Sequence, residues 1–159
     1  MTTVKKPKKT IGRAELIQFP GIEYVAVHAR VDSGARTSAI WVSQAHVEDD
    51  KLAVVFFGPE SPLYDGKKHY FTAFSRDIVT NSTGDRSLRY KIRLSIVLRG
   101  RRIRANFTLA DRSKQVYPVL IGRNVLRGKF IVDVSLGNAL REEEQALIRR
   151  NRQELGEEI

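Results

Sequence analysis

The stretch ARVDSGARTSAI, running from Ala29 to Ile40, decides how this sequence is read. An alternating run, EYVAVHARV (23–31), leads into Asp32-Ser33-Gly34, and a second β-prone run, TSAIWVSQAHV (37–47), leads away from it. Period-two spacing puts Val25, Val27, Ala29 and Val31 on one face of a strand, with Tyr24, Ala26, His28 and Arg30 on the other. The strand therefore delivers Asp32 into a tight turn. Asp and Gly suit turns for local reasons, but an acid, a hydroxyl and a glycine at a strand end also suit a catalytic carboxylate. The rest of the chain has to choose.

Composition narrows the choice first. The 159 residues are one domain by length, with 42% hydrophobic and 29% charged residues, the balance of a globular protein. No apolar run approaches the roughly 18 residues that a membrane span needs. The N-terminal MTTVKKPKKT is basic without an apolar segment behind it, which is unlike a secretory signal and leaves the cytoplasm as the expected compartment. The absence of cysteine excludes disulfides, thiol catalysis and thiolate metal sites together. His28, His46 and His69 lie 18 and 23 residues apart, and neither HExxH nor a GxxxxGK[ST] phosphate loop occurs, so no metal and no cofactor is expected. The net charge of +10 favours an anionic partner or substrate.

Most of the chain carries strand periodicity. RAELIQF (13–19) ends at Pro20-Gly21, and LAVVFF (52–57) follows the acidic turn Glu48-Asp49-Asp50. GPESPLYDGKKH (58–69) is turn-rich, with Asp65-Gly66 a good hairpin dipeptide. YFTAFSRDIVT (70–80) reads as one β-prone run into the polar turn NSTGD (81–85). In residues 87–111, Leu88, Tyr90, Ile92, Leu94, Ile96 and Leu98 face one way, and Arg89, Lys91, Arg93, Ser95 and Val97 the other. After a turn at Gly100, Ile103, Ala105, Phe107 and Leu109 point in while Arg102, Arg104, Asn106 and Thr108 point out. YPVLIG (117–122) is a short apolar strand, RNVLR (123–127) one or two helical turns, and KFIVDV (129–134) another strand. Only residues 138–155 read as a long helix, with Glu142, Glu143 and Glu144 early and Arg149, Arg150 and Arg152 late, as the helix dipole prefers. The expected architecture is a mainly-β barrel with one C-terminal helix.

Taken together, VDSGARTSAI (31–40), FTLADR (107–112) and LIGRNVLRGKFIVD (120–133) resemble the retropepsin-like aspartic proteases. The similarity is to a bacterial and archaeal branch often labelled an ATP-dependent zinc protease, and it runs from about Gly12 to Asp133. The label sits badly with the chain, which has the aspartic motif but neither a zinc-ligand pattern nor a nucleotide loop. The resemblance implies a closed acid-protease β-barrel over residues 11–136, between a basic flexible tail (1–10) and a C-terminal helix and tail (137–159). It implies Asp32 as the catalytic residue of an aspartic endopeptidase. Ser33, Gly34, Ala35, Gly122 and Arg123 would support the active-site loop, and Ser82, Thr83 and Gly84 are the flap candidates.

The chemistry explains the residue types. Peptide hydrolysis without a metal or a covalent intermediate needs water activated between two carboxylates sharing one proton. Asp-Ser-Gly occurs once in this chain, so the second carboxylate must be Asp32 of another copy, in a symmetric homodimer. Two departures from the viral pattern stand out. Arg36 occupies the place where viral members often carry an acid that pairs with the arginine of Gly-Arg-Asn, so Arg123 needs another acid, with Asp133 and Asp111 as candidates. The flap tip is also more polar than viral ones. The viral dimer strand corresponds to Phe130–Val134, and the helix after it has no viral counterpart.

Simpler readings stand beside these. Trp41, Phe56, Phe57 and Phe107 are expected in the core, and His28 and His46 half-buried or on the surface. Leu88 to Arg104 holds seven basic residues and no acid, so Arg89, Lys91, Arg93, Arg102 and Arg104 are anion-binding candidates as well as an ordinary solvated face. An acidic peptide or protein substrate reconciles the charge with proteolysis. A non-catalytic peptide-binding or dimerisation module is one alternative. A basic nucleic-acid- or ribosome-associated protein with weak nucleic-acid binding is another, although aromatics do not interleave with the basic residues.

Overall fold

The computed structural model describes residues 6–23, 25–80 and 82–156. Residues 1–5 of the basic tail and Tyr24 of the first strand face lie outside them. Strand β1 (Lys9–Ile11) precedes β2 (Ala14–Phe19), which turns through a 3-10 segment at Pro20–Ile22 into β3 (Val25–Val31). Strand β4 (Ser38–Glu48) meets β5 (Lys51–Phe56) across Asp49-Asp50. Both of these residues have positive φ, 48° and 63°, as a two-residue hairpin loop of this hand requires. Strand β6 (Lys68–Phe71) pairs with β5, and β7 (Ser75–Thr80) pairs with β8 (Arg86–Leu98). Strand β8 returns as β9 (Arg101–Ala110) over Arg99-Gly100, again with both φ positive. Strand β10 (Val119–Ile121), the single-turn helix α1 (Arg123–Leu126), β11 (Phe130–Val132) and helix α2 (Arg141–Glu154) complete the chain.

The barrel closes through β10. Going round, the order is β10-β3-β2-β8-β9-β4 and back to β10, with β5, β6 and β7 as extensions. Strand β10 is apolar because it is flanked on both sides: Val119 lies opposite Ala29 of β3 and opposite Ile40 of β4. Inside, Phe19 and Phe107 meet edge-to-face at 5.7 Å, and Ile17, Ile40, Ile96, Leu98, Val119 and Ile121 are fully buried around them. Trp41, Phe56 and Phe57 are buried as expected, and His28 and His46 are half-buried and exposed respectively. The alternation read in β3, β8 and β9 sorts core from solvent as predicted, except at Leu88.

Four details correct the sequence reading. Residues 70–80 are not one strand: a bend at Thr72–Phe74 divides them, so that β6 joins β5 and β7 joins β8. Leu88 is 52% exposed, because β8 outruns β9 and its first five residues pair with β7 alone. Asp65-Gly66 turns the chain, with the Lys67 N–H donating to Asp65 Oδ1 and Gly66 at φ +71°, but inside an eleven-residue connection (57–67) rather than a tight hairpin. Lys9 and Thr10, expected in the tail, lie in β1, which runs parallel to β11.

Helix α2 has no buried residue. Its anchor is polar: the Arg13 guanidinium spans the Glu144 carboxylate with bonds of 2.8 and 2.9 Å, and the Leu140 N–H donates to the hydroxyl of buried Tyr117 at 2.9 Å. The Arg13 hydrogen bonds hold the Glu144 carboxyl below its ordinary value of 4.5. A carboxyl depressed in the folded state contributes stability above its unfolded pKa and loses that contribution on acidification. Protection of the α2 amides against hydrogen exchange should therefore hold from pH 7 to about 5 and decline below about 4. Glu144→Gln should show the lowered protection already at neutral pH.

Candidate active site

Asp32 follows the last residue of β3, and β10 fixes it there: the Asp32 N–H donates to the Ile121 carbonyl at 2.9 Å. The turn then closes on itself. Asp32 Oδ1 accepts the Gly34 N–H at 2.9 Å, and the Ala35 N–H donates to the Asp32 carbonyl at 3.2 Å. Among the described residues nothing donates to the second carboxylate oxygen. Asp32 and Ala35 are half-buried, whereas Ser33 and Gly34 are exposed. The carboxylate is thus held by one oxygen and open at the other.

The segment after β10 clamps this loop from beneath. The Arg123 N–H donates to the Ala35 carbonyl at 2.8 Å, and the Gly122 N–H donates to Ser38 Oγ at 2.9 Å. Ser38 Oγ donates in turn to Asn124 Oδ1 at 2.8 Å, and Asn124 Nδ2 donates to the Asn106 carbonyl at 2.9 Å. A Cβ on Gly122 would lie 2.4 Å from the Thr37 carbonyl oxygen, so only glycine allows the two backbones to meet. Ser38 and Asn124 were not among the predicted site residues. Ser38 had a signal: it shares the buried face of β4 with Ile40, a place where a hydroxyl needs a partner.

Of the other predicted residues, Arg123 is placed beside the loop by its backbone, but its side chain does not find the expected acid. Asp133 Oδ1 accepts from both the hydroxyl and the N–H of Ser135, and Asp111 Oδ1 accepts the Ser113 N–H. Those bonds hold both carboxyls below their ordinary value. Each acid stands in an Asp-x-Ser sequence, where the serine two residues on is the nearer partner. Arg123 instead lines a cavity of about 750 Å³ with Ser33, Arg36, Asn124, Leu126 and Arg127, next to the Asp32 loop. Among the described residues no three His, Asp or Glu side chains assemble into a metal-binding set.

Ser82, Thr83 and Gly84 form the exposed tip of the β7–β8 ribbon, with Gly84 at φ +89°. On this ribbon Ile78 and Leu88 lie directly opposite each other, 70% and 52% exposed, on the face that continues the barrel interior. The opposite face carries the basic stripe. The register Arg93↔Asn106, Ser95↔Arg104 and Val97↔Arg102 puts Arg89, Lys91, Arg93, Arg102 and Arg104 on one side. Arg93, Arg102 and Arg104 are exposed. The stripe is not free of acid, because β7 brings Asp77 to Lys91 as an ion pair.

A family model described as the retropepsin-like aspartic endopeptidase RimB matches residues 10–144. Curated relatives include a probable alpha-L-glutamate ligase of Desulfotalea psychrophila, 31% identical over 151 residues, covering 85% of this chain and 30% of the relative. One from Shewanella halifaxensis is 33% identical over 133 residues, covering 80% and 29%. The chain therefore spans about 30% of the length of these relatives. Neither the family model nor these relatives carries the zinc-protease label. The crystal structure of Lpg0085, a Legionella pneumophila protein of unknown function, superposes with a TM-score of 0.61 at 18% identity, over 82% of this chain and 97% of that one, and shares the fold.

Ser38→Ala should leave the buried Gly122 N–H without an acceptor, at a cost of about 1–3 kcal/mol. Urea denaturation measures that cost, and Ser38→Thr, which keeps the hydroxyl, should recover part of it.

Proposed function

Because the chain belongs to the RimB-like family of retropepsin-like aspartic endopeptidases, we propose that it hydrolyses peptide bonds at Asp32 as a homodimer. The observation that carries this reading is the Asp32 loop: a carboxylate set by β3 and β10, held at one oxygen by Gly34 and open at the other. Asp-Ser-Gly occurs once, so two copies supply the pair. One carboxylate acts as base on water, and the protonated one donates to the scissile carbonyl. Exposed Ser33 bonds across to the partner loop. Gly34, Ala35, Gly122 and Arg123 keep the loop in place, and the tip Ser82-Thr83-Gly84 closes over the substrate. The protein works in the cytoplasm.

An acidic, glutamate-bearing polypeptide is the proposed substrate. A net charge of +10 and the exposed arginines of the stripe support it, as do relatives named for ligating glutamate. Ligation itself belongs to proteins of which this chain matches less than a third.

Asp32→Asn should fold, because Asn is nearly isosteric, and should lose peptide hydrolysis. Mixed with wild type under conditions of subunit exchange, it should lower activity in step with the fraction of wild-type homodimer. Activity tracking total wild-type chains after complete exchange would mean that each chain works alone.

Replacing Arg93, Arg102 and Arg104 together by Gln should change stability by less than about 1 kcal/mol, since exposed charges contribute little. Binding to a glutamate-rich peptide should weaken, most strongly at low salt. Fluorescence anisotropy across a salt series checks both peptide and RNA. A loss confined to RNA would favour the nucleic-acid reading of the stripe.

A further inference from the structure

A second cavity, of about 200 Å³, lies between the barrel and α2, lined among others by Arg30, Arg112, Tyr117, Glu144, Leu147 and Ile148. It shares no lining residue with the cavity beside the Asp32 loop. Arg30 comes from the outer face of β3, and half-buried Arg112 from the loop before β10. The Arg112 Nε donates to the Tyr117 carbonyl at 3.0 Å, which fixes the plane of the guanidinium. Among the described residues, its terminal nitrogens and all of those of Arg30 have no protein acceptor. The one carboxylate in the lining, Glu144, is already spanned by Arg13.

Exposed Arg30 and half-buried Arg112 thus line one small space whose single carboxylate, Glu144, feels the charge of Arg30 but gives both of its oxygens to Arg13. Burial, and then the charge of Arg30, lower the Arg112 pKa. Planar N–H forks match the oxygens of a carboxylate or a phosphate. We propose that Arg30 and Arg112 form a binding site for one small oxyanion, a carboxylate or a phosphate, between the barrel and α2. This goes beyond the proposed proteolysis and does not depend on it. The bound anion neutralises the arginine pair beneath a helix that has no buried residue of its own, and so ties α2 to the 111–118 loop.

The test titrates the full chain with inorganic phosphate in one arm and glutarate in the other, at constant ionic strength, by calorimetry. At least one probe should bind saturably with one site per chain, and the arm that responds identifies the chemistry. Arg30→Gln should weaken it about tenfold, the loss of one charge-assisted contact. Among the described residues the exposed Arg30 side chain makes no hydrogen bond, so this variant should fold, and circular dichroism verifies that. Arg112→Lys, which keeps the charge and loses the fork, should also weaken binding, whereas Lys51→Gln on distant, exposed β5 should not. Neither probe binding up to about 10 mM would overturn the proposal. Equal affinity in Arg30→Gln would also overturn it, and so would an equal loss in Lys51→Gln.

Discussion

A methyl group at Gly122 would sit 2.4 Å from the carbonyl oxygen of Thr37 and 2.9 Å from that of Ala35, closer than non-bonded atoms come. Its absence lets the end of β10 slide under the turn after β3. Strand β10 then pairs with β3 on one edge and β4 on the other, which closes the six-stranded ring and leaves no free edge at that seam. The same approach brings the Gly122 N–H to Ser38 and the Arg123 N–H to Ala35. Barrel closure and the shape of the Asp32 loop are therefore one event. A chain that failed to seat β10 would lose the core contacts of Val119 and Ile121 together with the loop geometry.

The polar groups divide by their surroundings. At the loop, Ser38, Asn124 and the backbone of Asn106 form a continuous relay, and among the described residues no buried side-chain nitrogen or oxygen lacks a partner. At its buried end, where Ser38 Oγ accepts the Gly122 N–H, the relay imposes one conformation, because any alternative strands a donor. On the stripe Arg93, Arg102 and Arg104 stand in solvent and constrain little, while half-buried Lys91 is paired with Asp77. Helix α2 is an intermediate case, fastened by the bidentate Arg13–Glu144 pair and by Tyr117, with only a thin apolar stripe beneath it.

Local pattern was enough for much of this. Alternation of apolar residues in β3, β8 and β9 identified the core-facing side chains, because in a strand the side of each residue depends only on parity. The carboxylate loop was legible as Asp-Ser-Gly after a strand, with Gly-Arg-Asn after another, and the family match bears out that family and a closed barrel. Reading failed where a residue's fate depended on a neighbour distant in sequence. Leu88 has the parity of a core residue but lies beyond the end of β9, and only the lengths of two paired strands reveal it. Arg123 lacks the expected acid because Asp111 and Asp133 bond to serines two residues away.

By itself, then, the sequence determined most of the strands, the buried faces of β3 and β9, and the single acid at the end of β3, all of them properties set within a few residues of chain. Tertiary structure alone decided that β10 inserts between β3 and β4, that Ser38 reaches Gly122 across 84 positions, and that Arg30 and Arg112 share a cavity under α2. The physical reason is that a pairing between distant segments pays its loop-closure entropy only when many contacts form together. No single residue along the chain carries that sum.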